Sequence, residues 1–504
     1  MSLELEFRKS PARVASWSLL ALALACASAT GKGGESPNAA SGANGSSESS
    51  DQSWRQTSPA AGAPHAFEYP PAQMATLPNG VQLWLVPRKS GTVALSVNAL
   101  AGGSTSTPGH SGLAALTLRL MTEATQQKTG LALAEAAEAL GANIDFDTGR
   151  DGSSLSVEVL PSDAEAALAL LAEVITQPRF AAADVERIRH QWLDSLRSER
   201  QEPGRLASLA GMRALLGPVV AAPVRGSVPD VAKLTREDVL KFHKQWYVAG
   251  NLAVLAVGDL TLERLTELAQ KGLGKLPARK PPPLPALELP PAPTQTTVWL
   301  VDRPDAVQSS LFVGQAFPER SAVGYEARQV MNNLLGGLFT SRLNLNLREK
   351  HAYTYGVRST AIATRRFGAF VVQSSIKTEN TADALEQLEL ELRGLAAAKP
   401  ESITPDELDR AKTDLIHQLG ANLEHVRRIL GDTTELYVDA LPVDYQSRFA
   451  SRILEVDQRM VAAEGARLTP DHLEVVIVGD KQKLTPLLAA KGITARDAPA
   501  QLTE

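Results

Sequence analysis

At 504 residues the chain is too long for one compact core and divides into two or more domains. Its hydrophobic fraction of 44% and charged fraction of 21% fit a globular protein and not a disordered or fibrous one. The net charge of −5, with no basic cluster interleaved with aromatic residues, argues against nucleic acid as a partner.

The N-terminus carries its own signal. Arg8, Lys9 and Arg13 precede a short apolar stretch from Val14 to Ala25, interrupted by Ser16 and Ser18 and ending in Ala23-Leu24-Ala25-Cys26. Residues 1–29 read as a secretory signal, since the apolar stretch falls short of the roughly 20 residues that span a bilayer. Two outcomes are open: cleavage at a small-x-small site, or lipidation of Cys26 as the first residue of a bacterial lipoprotein. The tetrapeptide is an imperfect lipobox, because leucine usually stands three places before the cysteine. Lipidation is favoured because the chain's one cysteine sits where the apolar stretch ends. Ala27 is not the aspartate that retains lipoproteins at the inner membrane, so an outer-membrane anchor in a Gram-negative-type envelope is expected, with the body facing the periplasm. Residues 30–66 are rich in Gly, Ser, Ala, Asn and Pro and should form a flexible tether.

Folded sequence begins near Phe67. Val81–Val86 and Thr92–Leu100 read as strands, the second with Val93, Leu95, Val97 and Ala99 alternating. Helices are predicted over Gly112–Thr125 and Leu131–Leu140, the latter closed by Gly141. Strands over Asn143–Arg150 and Ser153–Val159 flank a Gly-Arg-Asp-Gly turn. Helices follow over Ser162–Thr176, Ala182–Arg200 and Arg205–Leu216, then one N-capped by Thr235 and running to Tyr247. Leu252–Val257 reads as a buried strand. Between Pro277 and Pro293 lie eight prolines in seventeen residues, a density that forbids helix or central strand.

The second half then repeats the first. Trp84 in Leu83–Arg88 matches Trp299 in Val298–Arg303, an offset of 299 − 84 = 215, and Val257-Gly258-Asp259 matches Val478-Gly479-Asp480, an offset of 221. The reading is a duplicated α+β domain. Residues 67–276 form the first copy, 277–293 a stiff connector, 294–493 the second copy and 494–504 a tail.

The stretch Gly109–Thr125, GHSGLAALTLRLMTEAT, resembles the zinc-site segment of pitrilysin/insulinase-type metallopeptidases. Further likeness lies in Leu234–Asp238, Phe242–Tyr247, Leu335-Gly336-Gly337, Ser341-Arg342-Leu343 and Leu347–Lys350. The resemblance covers about Phe67 to Ile493. It implies half of a clamshell whose two halves enclose a chamber for unfolded peptides. In that family a helix carries H-x-x-E-H: two His one turn apart grip zinc and the Glu activates water. Here the five positions are Ala115, Leu116, Thr117, Leu118 and Arg119, so both His positions (Ala115, Arg119) and the base position (Leu118) are vacant. The family's third ligand, a Glu, aligns with Ser195. This chain is therefore expected to bind no cofactor, with zinc in a catalytic partner. Two of the histidines have plainer readings. His190 and Asp194 form an i,i+4 pair that more often is a solvated helix face, and His110 reads as a turn or cap residue.

By the same resemblance, Arg348 and Tyr355, seven residues apart, correspond to the Arg and Tyr that bind substrate next to a partner's zinc. A guanidinium grips a carbonyl or carboxylate, and a phenol donates to a developing oxyanion. Without the resemblance, the pair reads as an Arg at a helix end and a Tyr opening a strand. The expectation is a non-catalytic subunit that pairs with an H-x-x-E-H chain, hydrolyses peptides only with that partner, and lends it Arg348 and Tyr355. The alternatives are an active zinc endopeptidase with atypical ligands, and a peptide-binding or scaffolding envelope lipoprotein without catalysis.

Overall fold

The computed structural model describes residues 69–503. The signal segment, Cys26, the tether and Phe67 lie outside the described residues. Two six-stranded sheets organise the rest. The first is built from β1 (Gln73–Thr76), β2 (Gln82–Pro87), β3 (Val93–Ala99), β4 (Asp145–Thr148), β5 (Ser153–Val159) and β6 (Leu252–Gly258), in the order β1-β2-β6-β3-β5-β4. The second comprises β7 (Thr297–Asp302), β8 (Gln308–Phe317), β9 (Thr354–Ala363), β10 (Gly368–Lys377), β11 (Glu474–Gly479) and β12 (Ala495–Asp497), in the order β12-β7-β11-β8-β10-β9. No helix among the described residues is long and apolar enough to cross a membrane.

The internal repeat is visible in strand register. β2 and β6 run parallel, with Trp84 opposite Leu255 and Pro87 opposite Gly258. β7 and β11 are also parallel, with Trp299 opposite Val476 and Asp302 opposite Gly479. The sequence offsets of 215 and 221 carry each pair of the first ladder onto a pair of the second (84 + 215 = 299; 255 + 221 = 476). The copies differ at one edge, where β1 is antiparallel to β2 but β12 is parallel to β7. The architecture is thus α+β, two copies in one chain.

Most predicted elements fall close to where the periodicity put them. Ser153–Val159 is a strand with alternating burial, and Thr235 caps the helix Arg236–Trp246 through a capping box with Asp238. The first zinc-region helix is shorter than predicted, Leu113–Met121, because Thr122 turns back to bond the Arg119 carbonyl at 2.8 Å. The helix Pro203–Val220 extends past the predicted Leu216, although Gly217 at φ +77° interrupts it. β1 and the helix Leu262–Leu273 were not predicted. β1 is largely exposed and has no apolar alternation to reveal it.

The faces of β3 show how the two copies join. Val93, Leu95, Val97 and Ala99 point into the first domain's own core with Leu113–Met121 and Ala164–Thr176. Its opposite face, Ala94, Ser96 and Asn98, is buried too. Helix Val426–Val438 of the second domain packs over β3 and β6, bringing Ile429, Leu430 and Tyr437 against Trp84 and Leu255. The exchange is reciprocal. Helix Pro203–Val220 of the first domain covers β8 and β11 of the second, with Ala207, Ala210 and Leu215 against Phe312 and Val476. Gly211 permits this approach, because a Cβ there would lie 2.1 Å from the Phe312 ring. Each sheet is therefore sandwiched between its own helices and one from the other copy, which makes the interdomain contact part of the core.

Candidate functional site

The helix aligned with the metal motif starts at Gly112, which takes φ +86° and lies against the Arg225–Gly226 loop; a Cβ on it would come within 2.6 Å of the Arg225 carbonyl. Ala115 and Leu118 are buried, and Leu118 belongs to the first domain's apolar core. Arg119 is partly buried. Its guanidinium ion-pairs with Glu123 one turn on and lies 5.5 Å from the Phe146 ring centroid on β4. Glu123 is shared with Arg187 of the helix Ala182–Glu199, so Arg119 is fixed within an ion-pair network.

Ser195 sits on that same helix. Its hydroxyl donates to Glu199 at 3.2 Å and accepts from the Arg225 guanidinium at 3.1 Å. Arg225 also ion-pairs with Glu199 and lies 4.6 Å from the Trp192 ring centroid, while the Trp192 indole N–H donates to the Arg225 carbonyl at 2.9 Å. Thus the carboxylate nearest the third-ligand position is already matched to a cation. Asp194 is solvent-exposed and pairs with Arg197 at 2.9 Å.

Four-coordinate zinc sites are built from thiolate, imidazole and carboxylate donors. The positions here supply two alkyl groups, a hydroxyl and a guanidinium, and Arg225 adds a second cation. This donor set does not fit zinc. Among the described residues no group of three or more His, Cys, Asp or Glu is placed to share a metal ion. His110 occupies a turn, its ring 3.3 Å from the Pro108 carbonyl and 4.0 Å from Asp238.

Arg348 and Tyr355 lie at the far edge of the second sheet. Arg348 belongs to the wide-turned helical segment Asn344–Lys350; its guanidinium stacks 3.3 Å from the Phe339 ring centroid and donates to Glu349 at 2.8 Å. Tyr355 is on β9, where two residues, 355 and 356, face the single Ser375 of β10 between the pairs Thr354–Ile376 and Val357–Ser374. Such bulges re-aim side chains, and Tyr355 is 89% exposed. No hydrogen bond joins Arg348 and Tyr355 among the described residues, so they form two separate polar groups along one edge. Tyr353 is instead partly buried against the second core and stacks on His351 at 5.0 Å. That leaves Tyr355 as the phenol of this edge that is free to meet an incoming chain.

Sequence reasoning missed Arg225. It lies thirty residues beyond Ser195 (225 − 195 = 30) in a loop with no periodicity, and its contacts with Glu199, Ser195 and Trp192 show only in the fold. It also missed three carboxylates on the interdomain helix and its end, Asp432, Glu435 and Asp439. Burial is the main cause that raises all three, and Glu435 is pushed up to about 7, with its two acidic neighbours adding to the rise and Arg320 opposing it.

Comparison with known proteins places these observations in a family. Residues 86–211 match the family described as insulinase (peptidase family M16), and residues 233–415 match the peptidase M16 inactive domain. An uncharacterized zinc protease of Mycobacterium leprae is 26% identical over 297 residues, 59% of this chain and 66% of that protein. The chain thus aligns with just under two thirds of that relative. The non-peptidase homolog YmxG of Helicobacter pylori is 23% identical over 391 residues, 76% of this chain and 88% of that one. Among solved structures, a peptidase M16 inactive domain from Pseudomonas fluorescens superposes with a TM-score of 0.75 at 28% identity, covering 81% of this chain and 98% of that one. The first half of the periplasmic protease PqqL from Escherichia coli shares the fold, with a TM-score of 0.67 at 17% identity over 86% of this chain and 96% of its own.

Proposed function

The chain belongs to the insulinase-type M16 peptidase family, and from that premise we propose that it is a non-catalytic subunit of an envelope zinc peptidase. It pairs with a chain carrying H-x-x-E-H, closes the chamber around an unfolded peptide, and presents Arg348 and Tyr355 to the partner's zinc centre. Zinc belongs to the partner and not to this chain. The carrying observation is the pairing of a metal position filled by Ala115, Leu118, Arg119 and Ser195 with an edge that holds Arg348, paired with Glu349, and the exposed phenol of Tyr355. The Arg348 guanidinium is aimed by the Phe339 face and by Glu349, so a substrate carbonyl or carboxylate would share it with that acid. A phenol standing in solvent can donate to an oxyanion that forms nearby. We further place the chain at the periplasmic face of the outer membrane, held by lipid on Cys26 through the tether of residues 30–66; the single cysteine at the end of the apolar signal supports this.

The experiment is reconstitution with an H-x-x-E-H chain of the same family from the same organism. Peptide hydrolysis that requires both chains supports the subunit reading. Full hydrolysis by the catalytic chain alone, unaltered by addition of this one, removes it. A second reading is favoured by the likeness to YmxG, named a non-peptidase homolog. On that reading the chain is a peptide-binding or scaffolding lipoprotein with no catalytic partner, and no M16 chain co-purifies with it.

A further inference from the structure

The stretch from Thr494 to Thr503, a tail by sequence, crosses from the second domain to the first. Ala495–Asp497 form β12, and the Ala498 N–H still donates to the Leu300 carbonyl of β7 at 2.9 Å. Pro499 has no N–H with which to continue the ladder. The chain leaves the sheet there and makes one helical turn, Ala500–Thr503, in which the Leu502 N–H donates to the Pro499 carbonyl at 2.9 Å.

That turn rests on helix Pro203–Val220 of the first domain. Leu502 is buried in the cluster that contains Ala210, Leu216 and Val220. Two first-domain guanidiniums donate to its main chain, Arg200 to the Thr503 carbonyl at 2.5 Å and Arg213 to the Leu502 carbonyl at 3.3 Å. Arg200 ends helix Ala182–Glu199, five residues beyond Ser195 (200 − 195 = 5). Gln501 lines a cavity of about 230 Å³ together with Ser106, Thr107 and Ser111, which lead into the vacant metal helix. One short segment of the second domain thus touches both helices and the entry loop of the vacated site.

The hold is slight. One buried leucine and two hydrogen bonds from guanidiniums fix the five residues Pro499–Thr503 (503 − 499 + 1 = 5). The entropy lost in ordering one residue is of the same order as the net return of one such bond. Segments with so little burial open by local unfolding while the core stays folded. By contrast β11, in the same sheet, is buried throughout and paired on both sides. We propose that residues Pro499–Thr503 are a releasable strap. Closed, it fastens helix Pro203–Val220 and the end of helix Ala182–Glu199 to the second sheet. Open, it loosens the helix that carries Ser195 and uncovers the apolar patch under Leu502. Anything that binds one of the two forms better shifts this local equilibrium, and with it the coupling between the copies. The inference concerns this chain alone, so it stands or falls separately from the subunit reading.

The test is amide hydrogen exchange of the purified full chain, read by mass spectrometry. Residues 500–503 should exchange at least a hundredfold faster than β11, at a rate that low urea does not change. Ending the chain after Ala498 should speed exchange at least tenfold over residues 200–220 and leave the helix Thr381–Ala396 as it was. Leu502→Asp in the full chain should reproduce that pattern without a deletion, and Leu502→Met should keep the parent's. Exchange of residues 500–503 as slow as that of β11 would overturn the releasable strap. Unchanged exchange over residues 200–220 in both the shortened chain and Leu502→Asp would overturn its hold on the helices. Equal acceleration at Thr381–Ala396 would overturn it too, since the segment would then be one more part of the common core.

Discussion

Arg225 reaches the Glu199 carboxylate from a loop of the same domain and closes the position where a metal-binding relative needs an unencumbered acid. Its ring partner, Trp192, lies on the same helix as Glu199, so the cation is held on two sides. Loss of the ligands is thus accompanied by a replacement network, and restoring the ligands alone is insufficient. With Ala115→His, Leu118→Glu, Arg119→His and Ser195→Glu introduced together, zinc affinity should stay low while Arg225 remains. Adding Arg225→Ala should raise it by about tenfold or more, since a nearby cation opposes a dication. Competition titration with a chromogenic chelator reads both variants; equal zinc affinity with and without Arg225 would show that the loop is irrelevant.

Leu118 shows the same commitment in the core. It is 1% exposed, where a water-activating relative would carry a carboxylate. Leu118→Glu alone should destabilise by about 3 kcal/mol or more, because an unpaired carboxylate is buried there. Leu118→Met should cost under about 1.5 kcal/mol. Urea unfolding distinguishes them, and a harmless Leu118→Glu would mean that the helix face opens to water.

Tyr355 and Arg348 should separate function from stability. Tyr355→Phe removes one hydroxyl from a side chain in solvent, so the unfolding midpoint should not move. With the catalytic partner, kcat/KM should fall roughly 10²-fold, in the range seen when one oxyanion donor is lost. Arg348→Ala should reduce turnover at least as much, and Tyr353→Phe should leave it within about twofold. Unchanged turnover in both Arg348→Ala and Tyr355→Phe would end the contributed-site reading.

Glu435 should make stability depend on pH. It is held near 7, above its ordinary value of 4.5, by burial and by Asp432 and Asp439. Between those two pH values the folded chain binds more protons than the unfolded one, so stability falls as pH rises from about 4.5 to about 7 and then levels. At about 1.36 kcal/mol per unit over roughly 2.5 units, the loss attributable to this group is at most about 3.4 kcal/mol. Glu435→Gln should flatten that slope and leave the variant more stable than the parent at pH 8. Parallel slopes for both proteins would place the charge elsewhere.

The interdomain packing is equally open to test. Gly211→Ala drives a methyl group into the Phe312 ring and should cost about 1–3 kcal/mol. Shortening the ring by Phe312→Leu in the same chain should recover part of that. Additive losses in the double variant would contradict the contact.

Where the sequence spoke clearly, the signal was periodic. The alternation of β3, the capping residue Thr235 and the matched strings around Trp84 and Trp299 are local patterns, and each led to the element or register now seen. The covered outer face of β3 was not legible, because Ser96 and Asn98 look like solvent-facing residues until a helix from the other copy is laid over them. Arg225 was hidden for the same reason: its partner Glu199 is distant in sequence and shares no spacing with it. The vacant metal positions were legible because absence of imidazole and carboxylate is a fact of composition that no fold can alter.

The proposed subunit has no metal centre of its own. Metal analysis of the purified full chain, refolded or dialysed with excess zinc and then freed of unbound ions, tests it most directly. Substoichiometric zinc and no chelator-sensitive peptide hydrolysis by the chain alone are expected. One tightly held zinc per chain, with hydrolysis lost on chelation and recovered on zinc return, would contradict it.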